Sequence, residues 1–202
     1  MNMALDLPLM EAFYTVQGEG LHAGKAAYFI RLAGCDVGCV WCDVKDSWDA
    51  SAYPSVSVTQ MADDAQASGA QLAVITGGEP AMYDLNALCH ALRDRGLAVH
   101  IETSAAHEIR GNFDWVTLSP KKFKAPLPTE LIKADELKII IFNKSDFEWA
   151  ETYAGQVSPD CVLLLQPEWD KREAMAPLLV DYVKANPQWR ISLQTHKILD
   201  IP

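Results

Sequence analysis

Residues 26–33 read AAYFIRLA, and residues 34–42 follow without a break as GCDVGCVWC. The first stretch is a short apolar run of the kind that forms a buried strand. The second places Cys35, Cys39 and Cys42 within eight residues, with no further cysteine or histidine close by. Structural zinc sites normally have four protein ligands, so three thiols on one loop indicate a metal centre that keeps an open coordination position.

Spacing alone is also compatible with simpler roles for these cysteines. They could be buried small hydrophobic residues, part of a zinc knuckle, or disulfide partners. The chain has five cysteines, an odd number, and Cys89 and Cys161 lie in apolar stretches that we predict as a helix and a strand. This pattern favours a reducing compartment over a disulfide scaffold.

The chain has 202 residues, half of them hydrophobic, and no linker long enough to separate two domains. We therefore predict one domain over residues 1–202. It has no apolar run long enough to span a bilayer, and its start, MNMALD, lacks a signal-peptide pattern, so we expect a soluble cytoplasmic protein without a membrane partner. A net charge of −10 argues against a nucleic-acid partner and favours a small-molecule substrate.

Short apolar runs that predict strands recur along the chain, at residues 27–33, 72–76, 97–103, 113–118, 137–142, 161–165 and 190–194. Segments with helical periodicity connect several of them, at residues 57–67, 85–93, 145–153 and 172–185. Asp84 and Ser145 are the predicted N-caps of two helices, and Gly69 and Gly96 are predicted to end two.

Strands that alternate with helices predict a parallel sheet with right-handed crossovers, either open or closed into a partial barrel. Residues 104–112 and 120–136 are poor helix candidates, so some crossover helices should be missing. Within the second interval, residues 121–128 read KKFKAPLP, which predicts a basic loop with a solvated face.

Ligands of such folds bind where the carboxyl ends of the strands meet. Polar residues or cysteines follow almost every predicted strand, so one pocket could hold them all. One of these segments, residues 77–80, reads GGEP. Its glycines allow a close approach of the backbone to a ligand and Pro80 fixes the exit of the turn, but a plain turn gives no reason for Glu79.

The C-x3-C-x2-C spacing resembles the signature of radical S-adenosylmethionine (SAM) enzymes. The resemblance implies a 4Fe-4S cluster held by Cys35, Cys39 and Cys42, with SAM on the fourth iron. It also implies a partial, incomplete parallel β/α barrel. By matching positions, Trp41 would lie beside the adenine of SAM, the backbone of the GGEP turn would meet its methionine, and Glu102 and Ser119 would hold its ribose. The full set of implied SAM-binding residues is Trp41, Gly77, Gly78, Glu79, Glu102, Ser119, Lys121 and Gln166.

The two termini resemble a narrower family. Residues 13–20 read FYTVQGEG and residues 194–202 read QTHKILDIP, as in 7-carboxy-7-deazaguanine synthases, the QueE family. Further similar segments lie between them, at Arg31 and at residues 101–103, 118–121, 136–138 and 187–190, so the resemblance runs nearly end to end. It implies that 6-carboxy-5,6,7,8-tetrahydropterin is contracted to 7-carboxy-7-deazaguanine with loss of ammonia. It also implies a flavodoxin or ferredoxin as reductant, and a homodimer.

The same resemblance implies a set of substrate-binding residues. Gln17, Gly18, Glu19 and Thr76 would meet the pterin edge. The substrate carboxylate needs cations and donors, which Arg31 and His196 would supply. Pro202 matches the position where the terminal carboxylate of some family members reaches the site. The N-terminal segment is thus a substrate-binding extension and the C-terminal tail closes the site. We predict no catalytic residue beyond those that position the cofactor.

One position departs from the family pattern. Some members carry Thr or Ser where this chain has Val44, and that hydroxyl helps to hold Mg2+. Valine cannot ligate a hard cation. Asp43, waters and substrate oxygens could hold the ion instead, or Lys45 could balance the charge. We therefore predict a weaker magnesium dependence than in hydroxyl-bearing relatives.

Two other functions stay open from the sequence. A small activating enzyme that installs a glycyl radical on a protein has a similar length and the same cysteine spacing, but the two terminal segments disfavour it. A non-enzymatic zinc-binding module could use the three cysteines with a distant His22 or His196.

Overall fold

The computed structural model describes residues 5–202, so the first four residues of the predicted domain lie outside it. Within that range, nine strands form one sheet. They are β1 (Asp6–Val16), β2 (Ala26–Leu32), β3 (Ser55–Ser57), β4 (Leu72–Gly77), β5 (Ala98–Thr103), β6 (Trp115–Leu118), β7 (Glu136–Ile141), β8 (Val162–Pro167) and β9 (Trp189–Ile191).

The strand order across the sheet is β3-β1-β2-β4-β5-β6-β7-β8-β9. Strand β1 is antiparallel to both of its neighbours, and all other neighbouring strands are parallel. The sheet is open, with β3 and β9 at its edges, so it is a partial barrel and not a closed one.

The helices are α1 (Val58–Ala67), α2 (Asn86–Asp94), α3 (Pro128–Leu131), α4 (Ser145–Ala154), α5 (Arg172–Ala185) and α6 (Thr195–Leu199). The missing crossover helices are confirmed, because residues 104–112 contain no helix and residues 120–136 contain only the four-residue α3. No helix in the described part of the chain is both long and apolar enough to cross a membrane.

Each predicted strand is present, and all but the last have ends within two residues of the prediction. The last was predicted to reach residue 194, but β9 ends at Ile191. The chain leaves the sheet at Ser192, whose hydroxyl donates to Gln166 Oε1 at 2.7 Å. Strands β1 and β3 were not predicted.

The predicted ends of the helices are only partly right. Gly69 and Gly96 do follow α1 and α2 with φ of 80° and 81°. Both N-cap predictions are wrong by one residue, since α2 is capped by Leu85 and α4 by Lys144. The Asp84 carboxylate still accepts from Asn86 N at 3.0 Å, whereas Ser145 is the first residue of α4 and its hydroxyl donates to Asn143 Oδ1.

The sheet separates a hydrophobic core from a polar pocket. In β7, for example, Leu137, Ile139 and Ile141 are fully buried in the main core between the sheet and the helices. The alternate residue Lys138 points to the other face, because successive side chains of a strand face opposite ways. We call this second face the inner face of the sheet. It is the face that lines the pocket.

Candidate active site

A pocket of about 990 Å³ lies on the inner face, around the carboxyl ends of the parallel strands. Every residue that the sequence predicted for the metal, cofactor or substrate lines it: Gln17, Gly18, Glu19, Arg31, Cys35, Cys39, Trp41, Cys42, Asp43, Thr76, Gly77, Gly78, Glu79, Glu102, Ser119, Lys121, Gln166, His196 and Pro202. The structure therefore brings these residues together, while their individual roles stay predictions.

Backbone contacts hold the cysteine loop against the GGEP turn. Gly78 donates to Leu32 O at 3.0 Å, and Glu79 N donates to Gly34 O at 2.9 Å. A Cβ atom on Gly78 would lie 2.3 Å from Gly34 O and 2.8 Å from the Cβ of Cys35. Only glycine fits at this close approach, so the first cysteine is fixed directly beside the turn.

The three thiols share a small apolar cluster with Val37 and Ala106, separate from the main core. Burial raises the pKa of the Cys39 thiol to about 11 and raises that of Cys35, so both are neutral until a bound metal displaces the proton. Over residues 5–202, no three Cys, His, Asp or Glu side chains converge closely enough for one metal ion.

The single-zinc alternative named two histidines, and one of them, His196, lines the pocket with the cysteines. The other, His22, packs instead against the rings of His100 and Trp115, with centroids 4.7 and 4.6 Å away. Its neighbours are thus aromatic side chains and not the cysteine loop.

Glu79 has a structural role that the sequence did not reveal. Its carboxylate is almost fully buried and accepts hydrogen bonds from Ala81 N at 2.9 Å, from Ser104 N at 2.8 Å, and from the hydroxyls of Thr103 and Ser104. These bonds tie the GGEP turn to the end of β5. The hydrogen bonds of the Glu79 side chain are therefore all made within the protein, and it is the backbone of this turn that is free to meet a cofactor.

The loop between β1 and β2 forms the floor of the pocket. This loop connects Val16 to Ala26, which are paired across β1 and β2, so it lies at the amino end of β2. The cysteine loop lies at the other end of the same strand. Gln17 Nε2 donates to Glu102 Oε1 at 2.9 Å, and Gln17 Oε1 accepts from Glu19 N at 3.0 Å. Thr76 Oγ1 donates to the other Glu102 oxygen at 3.4 Å. One network thus joins predicted substrate and cofactor residues.

Glu19 forms an ion pair with Lys138, a pocket residue that the sequence analysis missed. Gln194 Nε2 also donates to Glu19 Oε1, at 2.8 Å. Burial would raise the pKa of Glu19, but the charge of Lys138 and the hydrogen bonds from Lys138 and Gln194 lower it to about 2. Glu19 is therefore ionised. One feature of the sequence could have indicated this pair: Lys138 lies inside an apolar strand, where a buried charge needs a partner.

The C-terminal tail closes over the floor. Thr195 donates to Gly18 O through both its backbone N, at 2.9 Å, and its hydroxyl, at 2.8 Å. His196 lies so close to Gly18 that a Cβ there would be 2.3 Å from Nδ1. Thr15 Oγ1 donates to Pro202 O at 3.3 Å. Burial lowers the pKa of His196, which favours the neutral imidazole.

Basic residues lie at the rim and inside the pocket. Lys197 Nζ donates to Asp43 Oδ2 at 2.8 Å, which links the tail to the cysteine loop. Arg31 Nε donates to Glu11 Oε1 at 2.7 Å. Lys45, the alternative charge-balancing residue, lines the pocket, and so does Lys197, which was not predicted as a site residue.

The prediction that residues 121–128 present a solvated basic face is wrong for Lys121, whereas Lys122 is exposed. Lys121 Nζ donates to Ser119 Oγ at 2.6 Å inside the pocket and lies 5.4 Å from the centroid of the Trp41 ring. Burial lowers the pKa of Lys121. Lys122 and Lys124 form ion pairs with acidic side chains of other segments, at 2.5 and 2.6 Å.

Comparison with known proteins gave full-length relatives, although no family model matches. A 7-carboxy-7-deazaguanine synthase from Flavobacterium psychrophilum is 53% identical over 196 residues, which are 97% of this chain and 93% of that protein. The Synechocystis enzyme of the same name is 46% identical over 98% of this chain and 95% of its own. The crystal structure of QueE from Escherichia coli superimposes with a TM-score of 0.83 at 32% identity and covers 94% of each chain.

Proposed function

This chain belongs to the 7-carboxy-7-deazaguanine synthase family, and on that premise we propose that its pocket contracts 6-carboxy-5,6,7,8-tetrahydropterin to 7-carboxy-7-deazaguanine with release of ammonia. The protein is an enzyme of queuosine biosynthesis, and neither a glycyl-radical activating enzyme nor a zinc-binding module is favoured. The observation that carries the chemical proposal is the single pocket that joins the cysteine loop, the GGEP turn and both terminal segments.

The donor set fits the cofactors of a radical SAM enzyme. Cys35, Cys39 and Cys42 would hold a 4Fe-4S cluster with one open iron position. Such a cluster would supply the electron for reductive cleavage of SAM, and SAM would supply the radical chemistry at carbon 6 of the pterin. SAM would lie against the backbone of residues 77–79, which the buried Glu79 carboxylate holds rigid. The remaining SAM contacts would come from side chains around the same strand ends: Trp41, Glu102, Ser119, Lys121 and Gln166.

The protein itself contributes position and shielding. A pterin edge has a fixed pattern of donors and acceptors. Gln17 and Glu19 lie on the floor of the pocket and Thr76 lies near the end of β4, and Glu102 and Lys138 hold their side chains. Such fixed groups can hold the reacting carbon in one place, which is the main way this chemistry is accelerated. Arg31 and His196 would meet the substrate carboxylate, and Pro202 would line the substrate site beside them.

The contacts of the tail support a role in excluding water. Thr195 and His196 pack on Gly18, and Lys197 pairs with Asp43 beside the last cysteine. The tail therefore connects the floor of the pocket to the loop that would carry the cluster. A closed site protects a radical from solvent and from side reactions.

We also propose that turnover depends only weakly on Mg2+. Val44 offers no oxygen ligand, and one oxygen of Asp43 accepts a hydrogen bond from Lys197 at 2.8 Å. Activity is measured after chelation, during a Mg2+ titration. We expect less than tenfold stimulation in the wild type and a larger one in Val44→Thr, which restores the hydroxyl. A stimulation of tenfold or more in the wild type, on the order of 1.4 kcal/mol, contradicts the proposal.

Partners and compartment follow from the same family. We propose a homodimer, reduced by a flavodoxin or ferredoxin, in the cytoplasm. Exposed apolar side chains near the β9 edge and in α6 support an interface between copies: Ile191, Leu193, Ile198 and Leu199. All the cysteines are free thiols, as expected in a reducing compartment. Sedimentation of the reconstituted protein gives its mass, and a monomer at micromolar concentration contradicts the homodimer.

The main test is anaerobic reconstitution followed by turnover. We expect a brown protein that binds iron and sulfide, cleaves SAM under strong reductant, and converts the carboxypterin to ammonia and a deazapurine chromophore. The variant Cys39→Ser should lose the colour and the SAM cleavage together. Colourless protein with one zinc, or brown protein that never cleaves SAM, overturns the proposal. Cleavage of SAM without conversion of the pterin refutes the substrate while leaving the cofactor chemistry intact.

A further inference from the structure

Lys138 is a charged residue in a position where charge is costly. It lies in the middle of β7 between two core residues, Leu137 and Ile139, and its side chain is about 5% exposed. A buried ammonium is retained only when carboxylates or other acceptors compensate it. Its direct partner is Glu19, which lies 119 positions earlier in the chain. This ion pair between residues far apart in the sequence joins the central sheet to the floor loop.

We propose that Lys138 is a positioning residue that keeps Glu19 an ionised acceptor, so that Glu19 can receive hydrogen bonds from the amino and N–H donors of the pyrimidine edge of the substrate. This inference rests on the proposed pterin substrate and extends it to the residue that determines how that edge is read. An ionised carboxylate only accepts hydrogen bonds, whereas a protonated one presents a donor. A donor-rich ligand edge therefore needs the ionised form.

The contacts of Glu19 leave room for such a ligand. Gln194 donates to its Oε1 atom and Lys138 to its Oε2 atom, and Gln166 also acts on the carboxylate through a hydrogen bond. A carboxylate has about four lone-pair sites, so acceptor capacity remains beyond these three. Glu19 also lines the pocket beside Gln17 and Gly18. The pair is thus not a closed structural salt bridge, because its acid remains available to the cavity.

Burial by itself would work against this role. It favours the neutral carboxyl group, and the Lys138 charge is the largest contribution that opposes it. Other titratable groups act on the same pair: Glu102, Glu136, Lys121, Asp43 and His196. Among them, His196 has a pKa that burial lowers. Since His196 is present in every variant, each variant is compared with the wild type at the same pH.

The test measures binding without turnover. Calorimetry with 6-carboxypterin, the oxidised form of the substrate class, is carried out on reconstituted protein with SAM at pH 5.0, 6.0 and 7.5. The variants are Lys138→Gln, which removes the charge, and Lys138→Arg, which keeps it. The control is Lys184→Gln, at an exposed lysine on α5 whose side chain is 74% accessible.

We expect Lys138→Gln to bind within threefold of the wild type at pH 7.5 and at least tenfold more weakly at pH 5.0. Lys138→Arg and Lys184→Gln should follow the wild type at each pH. If Lys138→Gln matches the wild type throughout, or is weakened equally at every pH, the inference is overturned, because a merely structural role moves affinity without a pH dependence of its own.

A second variant, Glu19→Gln, tests the inference in case the Lys138→Gln protein does not fold. Glu19→Gln keeps Lys138 and imitates a neutral acid, so it should be weakened tenfold or more at all three pH values. Wild-type affinity in Glu19→Gln overturns the inference. A wild-type protein that does not bind 6-carboxypterin refutes the pterin substrate itself, an outcome distinct from unchanged binding in the variants.

Discussion

Position 18 requires glycine because His196 occupies the space that a side chain there would need. A Cβ on Gly18 would lie 2.3 Å from His196 Nδ1 and 2.7 Å from its Cβ, which is far inside any real contact distance. The backbone of Gly18 also accepts both hydrogen bonds from Thr195. The glycine therefore fixes where the tail lies, and through it where His196 meets the pocket.

Gly18→Ala should displace the tail without unfolding the sheet. We expect at least tenfold weaker binding of 6-carboxypterin, about 1.4 kcal/mol, with a thermal midpoint close to that of the wild type. The control is Gly155→Ala at the end of α4, where the nearest atom to a new Cβ is 3.9 Å away. Calorimetry and thermal unfolding of both variants check this. Unchanged binding in Gly18→Ala would show that the tail does not shape the site.

At this scale, the sequence could show which residues belong to the site but not why each is held there. Cysteines, glycines and polar residues at strand ends could be found because carboxyl ends of parallel strands converge. The ties of Glu79 to Ser104 and of Lys138 to Glu19 span 25 and 119 residues. No local pattern encodes such distant pairs. Lys138 was missed because the apolar run around it indicated only a strand.

Strand β1 was not predicted because its sequence lacks the usual strand pattern. Residues 6–16 contain Pro8 and are mostly half-buried or exposed, so they lack the alternation of a strand with one buried face. The strand forms because β2 and β3 pair with its two edges. This antiparallel pairing, and not a further crossover helix, brings the floor loop under the pocket.

The floor loop is supported from below by uncharged rings. His22 in the loop packs against His100 of β5 and Trp115 of β6. Burial lowers the pKa of His22 and lowers that of His100 to about 4, and in both the charge of Lys25 acts in the same direction. Both imidazoles are therefore neutral in the folded protein at neutral pH.

These pKa values predict a loss of stability in mild acid. A histidine whose folded pKa is lowered binds its proton more readily when unfolded, so its effect is absent above the unfolded pKa, near 6.5, and grows as the pH falls toward about 4. Urea unfolding of the cluster-free protein at pH 7.5 and 5.0 measures this loss. It should be smaller in His100→Gln than in the wild type.

The matched control for His100→Gln is His90→Gln. His90 lies on α2 with 78% of its side chain accessible, so its substitution should leave the pH dependence as it is in the wild type. Equal losses of stability on acidification in His100→Gln and the wild type would show that the buried imidazole does not titrate as argued.

For the whole molecule, the alternation of strands and helices was enough to predict the architecture, because parallel neighbours require crossovers and crossovers cover one face. The alternation alone left open whether the sheet closes, whereas the family resemblance implied the incomplete barrel that the structure shows. Closure depends on how β3 and β9 end, and both are strands of three residues at the edges. Directly after β9, the Ser192 hydroxyl donates to Gln166 Oε1 at 2.7 Å and accepts from Gly20 N at 3.0 Å.

The cysteine loop contributes little to the stability of the fold. The main core is one continuous cluster between the sheet and the helices, whereas the cysteines belong to a separate small cluster with Val37 and Ala106. Folding is therefore expected to precede cluster assembly and not to require it. This differs from small zinc domains, in which the metal supplies the folding energy.

The triple variant Cys35→Ala/Cys39→Ala/Cys42→Ala should fold and unfold cooperatively like the cluster-free wild type. We expect its free energy of unfolding in urea to be lower by only about 1 kcal/mol, since few buried contacts are lost. The control is Leu137→Ala, in which truncation of a fully buried core residue should cost about 3 kcal/mol. Comparison is made without cluster, because bound cofactor stabilises the wild type by mass action. A triple variant as unstable as Leu137→Ala would mean that the cysteine loop is part of the folding core, and that cluster and fold are coupled after all.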